Sequence, residues 1–178
     1  MSLRKLTIKW EFITKSMRHR VRAAALIMRP QENPTEILLV KHASRTRPGK
    51  IMWLSPGGGL ETEDESIFAC AKREAREECG LDVAVSRIAY VHEFIDELMQ
   101  IRHVAFYMAI EDYSGEVSLD YLPPDATDAD SILEIVWVNQ KQIQELSVYP
   151  DYLKTDEFWQ DAAQGFCNTK YLGTMTRL

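Results

Sequence analysis

Three glutamates crowd into positions 74–78 of the stretch WLSPGGGLETEDESIFACAKREAREECGL, residues 53–81. Turned at about 100° per residue, Glu74, Glu77 and Glu78 fall within an arc of roughly 100°. That arc borders an apolar stripe of Ile67, Phe68, Ala71, Ala75 and Cys79, while Lys72, Arg76, Ala69 and Arg73 lie roughly opposite. A solvated charged helix usually alternates signs at i,i+4, whereas Glu74 and Glu78 are a like-charge pair that costs a few tenths of a kcal/mol. A hard divalent cation removes the conflict, because clustered carboxylate oxygens suit Mg²⁺ or Mn²⁺. Upstream, Pro56 is followed by Gly57, Gly58 and Gly59. A glycine run lets the backbone turn tightly and approach a ligand. A loop entering a helix also offers carbonyl and N–H groups to a metal-bound phosphate. Alone, the glycines read as a plain turn; beside the glutamates they read as part of one site.

The elements that must hold these residues are legible around them. Residues 64–79 read as a helix closed by Gly80. The apolar, β-rich runs 21–28 and 36–43 read as two strands of a buried sheet, although RHRVRAAALIMRP (18–30) briefly imitates a signal peptide. Residues 83–95 and 101–111 read as a strand pair, and 132–138 as a further strand. The segment 112–131 is an acidic loop carrying Pro123 and Pro124. A short helix is expected at 140–146. A firmer one follows Thr155 as cap, with Asp156 and Glu157 in its first turn and Phe158, Trp159, Ala162, Ala163 and Phe166 on its apolar face. Two uses are open for that face: core packing, or an interface between two copies of the chain. Residues 1–20 read as an N-terminal extension with an added strand over 5–13, and 21–178 as a single α/β domain in which helices cover a central mixed β-sheet.

Bulk properties bound the function. The 178 residues bury a core without disulfides or structural metal. A net charge of −6 argues against broad binding to nucleic acid or anionic membrane. The three cysteines are odd in number and lack C-x-x-C spacing, which fits a reducing, cytoplasmic setting. No segment approaches transmembrane length.

From Gly59 the chain reads Gly, five residues, Glu65, seven residues, Arg73-Glu74, Ala75, Arg76, Glu77-Glu78, Cys79, Gly80, Leu81. This resembles the signature of the Nudix hydrolases, G-x5-E-x7-R-E-U-x-E-E-x-G-U with U aliphatic, at every fixed position; Ala75 is a small choice for U. The resemblance implies the family's α/β/α sandwich and the metal-dependent hydrolysis of a nucleoside diphosphate linked to some other group X. It further implies that Glu74, Glu77, Glu78 and the Gly59 carbonyl hold Mg²⁺ or Mn²⁺. Arg73 orients a glutamate, and Glu65 is its expected partner in fixing the loop and helix.

For the general base two candidates stay open: Glu74, and Glu134 just before Trp137. Arg45, Arg47 and Lys50 are candidate phosphate contacts, against the reading of a solvated basic turn. Trp53, Phe94 and Tyr107 are weighed as base-stacking residues against core packing, and His42, His92 and His103 read as structural. The region 94–98 lacks the proline common in ADP-ribose-cleaving members, and the extended NADH motif is absent. Nucleoside triphosphates, dinucleoside polyphosphates and nucleotide sugars remain, with ADP-ribose weakened. The implied partner is a nucleotide-type small molecule, and a homodimer is a further expectation. The rival reading is a non-catalytic nucleotide sensor on the same fold, although such proteins usually lose carboxylates retained here.

Overall fold

The computed structural model describes residues 17–29, 35–44, 47–124 and 129–177. The expected strand over 5–13 lies outside these residues. The described chain runs β1 (Arg18–Leu26), β2 (Met28–Arg29), β3 (Glu36–Ala43), β4 (Ile51–Leu54), β5 (Gly57–Gly59), α1 (Ile67–Cys79), β6 (Asp82–Asp96) and β7 (Ile101–Ser114). It continues through β8 (Ile132–Asn139), β9 (Val148–Tyr149), α2 (Asp156–Ala163) and β10 (Lys170–Arg177). The helix expected over 140–146 is a 3₁₀ turn, Gln142–Glu145.

The central layer consists of two sheets. One has the order β10-β6-β7-β1-β5, with β1 parallel to β7, β10 parallel to β6, and the other pairs antiparallel. The second runs β2-β3-β4-β9, with β8 on the other side of β3. The chain passes from one sheet to the other at Ile27, between β1 and β2.

Both faces of this layer are covered, which explains why β1 and β3 read as unbroken apolar runs. Ala23 packs with Cys70 and Ala71 of α1, while Ala25, Ile27, Leu38 and Val40 pack with Ala75 and Cys79. The alternate residues Ala24, Leu26, Ile37 and Leu39 join Tyr90, Phe158, Trp159 and Phe166 on the α2 side. On the apolar face of α2, Phe158 and Trp159 pack into the chain's own core together with Phe166 just beyond the helix, and Phe158 is fully buried.

Local chemistry sets the helix ends. The Ser66 side chain accepts from the Ala69 N–H at 3.1 Å, so α1 begins at Ile67 and not at 64. It stops at Gly80, whose φ of 73° suits a residue without a Cβ and whose N–H reaches the Arg76 carbonyl at 2.9 Å. Thr155 caps α2 as expected, accepting from the Phe158 N–H at 3.2 Å.

Candidate functional site

Strand β5 is three glycines at the edge of the first sheet, and helix α1 lies along it. A strand without side chains lets groups on either side approach its backbone. The Glu78 carboxylate accepts from the Gly57 N–H at 2.8 Å, and Arg22 donates to the Gly57 carbonyl at 2.9 Å. A Cβ on Gly58 would collide with the Glu74 carboxylate. Glu78 is 2% exposed and Glu74 is 7% exposed, so two of the three clustered glutamates are buried against the glycines.

Arg73 is the hub of the cluster. It makes a bidentate pair with Asp64, both bonds at 3.0 Å, and also reaches Glu74 at 2.9 Å and Glu77 at 3.0 Å. It donates to the Gly59 carbonyl at 3.1 Å, and Cys70 Sγ approaches the same oxygen at 3.5 Å. The partner expected for Arg73 was Glu65; the structure uses Asp64 and leaves Glu65 exposed. The cause is the turn before α1, in which the Glu61 N–H is held by Asp64 at 2.9 Å.

The electrostatics are unbalanced. Hydrogen bonds from Arg73 hold Asp64 below the usual carboxylate range. Burial pushes Glu74 up to about 7 despite its contact with Arg73. Burial likewise raises the Cys70 thiol to about 12, so it stays protonated.

Among the described residues no three His, Cys, Asp or Glu side chains stand at ligand spacing. The donor set nonetheless fits a hard divalent cation. It consists of carboxylate and carbonyl oxygens, its carboxylates are partly buried, and Gly58 leaves room where a side chain would displace Glu74.

Other candidate residues are dispersed. Glu134 is on β8, hydrogen-bonded to Lys41 of β3 at 2.9 Å. Strand alternation puts it on the parity of Val136 and Val138, which pack with the α2-side core, while Ile135 and Trp137 pack toward the α1 side. It is therefore not brought to the α1 glutamates. Arg45 lies outside the described residues. Arg47 and Lys50 line a recess with Ser44, Met52, Asp96 and Ser147. That recess shares Met52 and Asp96 with a cavity of about 180 Å³ between the two sheets. Phe94, Tyr107, Tyr149, Arg22 and Ser55 help line this cavity. His103 lines it too, with its ring stacked on Phe94 at 4.2 Å and 5°, whereas Trp53 packs in the core beneath Lys41.

Two arginines absent from the sequence reading stand at the glycine strand. Arg20 and Arg22 alternate along β1, so both project from one face, and β1 pairs with β5. The Arg20 guanidinium lies against Gly59. The alternating Arg18, Arg20 and Arg22 were the available signal, hidden in a segment that imitates a leader.

A model of the NUDIX domain matches residues 18–157. The uncharacterized Nudix hydrolase NudL of Enterobacter sp. (strain 638) is 33% identical over 88 residues, which are 48% of this chain and 45% of that protein. The chain thus spans about half the length of that curated relative. Among solved structures, a NUDIX hydrolase from Nitrosomonas europaea superposes with a TM-score of 0.61 at 19% identity, over 83% of this chain and 90% of that one. The MutT protein from Methanosarcina mazei Go1 gives 0.59 at 24% identity, over 85% and 97%. These likenesses establish the fold.

Proposed function

Because the chain belongs to the Nudix family, we propose that it is a metal-dependent pyrophosphohydrolase acting on a nucleoside diphosphate derivative. The observation that carries this reading is the excess of buried carboxylate along a side-chain-free strand, with Glu74 and Glu78 both pressed against Gly57 and Gly58. Glu74, Glu77 and Glu78, with the Gly59 carbonyl, would hold Mg²⁺ or Mn²⁺. Such an ion neutralises pyrophosphate charge and acidifies water.

The chain's own residues supply the rest. Arg73 ties the glycine strand to α1 and keeps the glutamates in register. Arg20 and Arg22 flank the same strand and would take phosphate oxygens, as guanidinium groups do well. Arg47 and Lys50 line the outer recess, where they would meet the remainder of the substrate. Of the two candidate bases the arrangement favours Glu74, since Glu134 is engaged with Lys41 elsewhere. Among the described residues no helix is long and apolar enough to cross a membrane.

The test is a phosphate-release screen with Mg²⁺ and Mn²⁺ over nucleoside triphosphates, dinucleoside polyphosphates, nucleotide sugars and ADP-ribose, with phosphatase coupling where needed. One strong hit abolished by EDTA is expected. Silence across the panel together with tight nucleotide binding would replace the hydrolase with a nucleotide sensor.

A further inference from the structure

The cavity between the sheets contains a polar group without a local purpose. Ser55 follows β4 and immediately precedes the Pro56-Gly57 corner, and it is 3% exposed. Among the described residues nothing hydrogen-bonds to its hydroxyl. A buried hydroxyl without a partner costs stability, and an apolar side chain of similar size would avoid that cost. The backbone around it is fixed, because the Ala25 N–H donates to the Pro56 carbonyl at 2.8 Å and Arg22 holds Gly57. The Ser55 backbone is therefore held in place, with its side chain in the cavity lining.

The rest of the lining defines what it would meet. Phe94 and His103 are stacked parallel, and Tyr149 stands edge-on to Phe94 at 5.2 Å and 76°. Met52 and Leu54 close the opposite side. Aromatic and thioether walls suit a group with apolar faces, whereas a sugar presents hydroxyls in every direction and would leave many unpaired. A flat ring with a polar rim satisfies both the walls and Ser55. Arg22 lines the cavity and also touches Gly57, so a ring in the cavity is joined directly to the glycine strand.

We propose that Ser55 is a specificity-determining residue whose hydroxyl pairs with the polar edge of a planar heterocycle, so that selection is exercised on the nucleobase and not on the group X. This rests on the pyrophosphohydrolase reading of the neighbouring glutamates. The unpaired hydroxyl is then a stability cost retained for recognition.

The experiment uses the full chain and nucleoside monophosphates bearing adenine, guanine, cytosine and uracil, bound without turnover and measured by calorimetry. Wild type is expected to favour one base by about tenfold or more, as a site built around a substrate hydrogen bond does. Ser55→Ala should lose about that factor for the favoured base and flatten the ranking, while Ser55→Thr retains it. The melting temperature of Ser55→Ala should stay level or rise. An unchanged ranking in Ser55→Ala, or no base preference in wild type, overturns the proposal. So does a marked drop in melting temperature with the ranking intact, which would mean the hydroxyl serves the fold through a buried water. Selective binding that Ser55→Ala abolishes, without hydrolysis of any nucleoside diphosphate derivative, would uphold the role of Ser55 and reject the catalytic reading instead.

Discussion

Each helix of this protein carries a cluster of charged groups on its sheet, and the two clusters are balanced in opposite ways. At α2, Asp161 receives both oxygens' worth of hydrogen bonds from Lys170 at 2.8 Å and one from Tyr90 at 2.7 Å, with Tyr152 at 3.4 Å. Burial would raise its pKa, but bonds from Lys170 and Tyr90 prevail and hold it below the usual range. At α1, the Arg73 guanidinium bonds Asp64, Glu74 and Glu77, and the charge of Arg22 also favours the ionised form of Glu74. Burial prevails at Glu74 and lifts it to about 7. At the α2 cluster the chain's own hydrogen bonds outweigh burial, whereas at Glu74 in the α1 cluster burial outweighs the cationic partners. Satisfied networks rigidify a fold, and perturbed carboxylates gather at functional sites. The difference assigns structure to one end of the molecule and chemistry to the other.

The largest expected effect is at α1. Glu78→Gln keeps an oxygen for the Gly57 N–H, so the fold should persist while turnover falls by about 10²–10³-fold. Hydrolysis rates beside a thermal melt decide this, and a wild-type rate would erase the contrast between the clusters. Gly58→Ala puts a methyl group into the Glu74 carboxylate and should lower kcat by about 10²-fold through misplacement. Full activity there would show that Glu74 need not lie against the strand.

At α2 the same comparison predicts lost stability with retained activity. Asp161→Ala strips acceptors from Tyr90 and Lys170 and should cost about 1–3 kcal/mol in denaturant unfolding, leaving kcat unchanged. A kinetic defect in the folded variant would mean that the clusters are coupled. The smallest effect concerns His92, 3% exposed, whose pKa burial lowers from 6.5, with Glu93 opposing. A depressed folded pKa gives stability that is complete above 6.5 and is lost as pH falls through the lower folded value. His92→Gln should therefore flatten the decline in melting temperature as pH falls below 6.5. A slope equal to that of wild type would exclude His92 from the acid response.

Local patterns were legible in the sequence, and long-range registers were not. Glu74, Glu77 and Glu78 share a helix, so their clustering follows from the helical period, and Thr155 and Gly80 mark their helix ends by local chemistry. Arg73 was expected to pair with Glu65, but the capping turn hands it Asp64, one residue away. Alternation along β8 puts Glu134 on the face of Val136 and Val138, but only the pairing of β8 with β3 reveals that it meets Lys41. Arg20 and Arg22 acquire meaning only through pairing with β5, and Ser55 only through a cavity whose walls come from distant strands. Strand β10 escaped notice because Gly173, with φ of 85°, breaks its alternation and its partner is the distant β6.

The central claim is that the clustered, buried carboxylates on α1 form a divalent-cation site. The most direct measurement is a Mn²⁺ titration of substrate-free protein, followed by the electron paramagnetic resonance of the free ion. Saturable binding by wild type, weakened about tenfold or more in Glu78→Gln, is the predicted result. Equal Mn²⁺ binding by the two proteins would contradict it and leave the glutamates a feature of the fold alone.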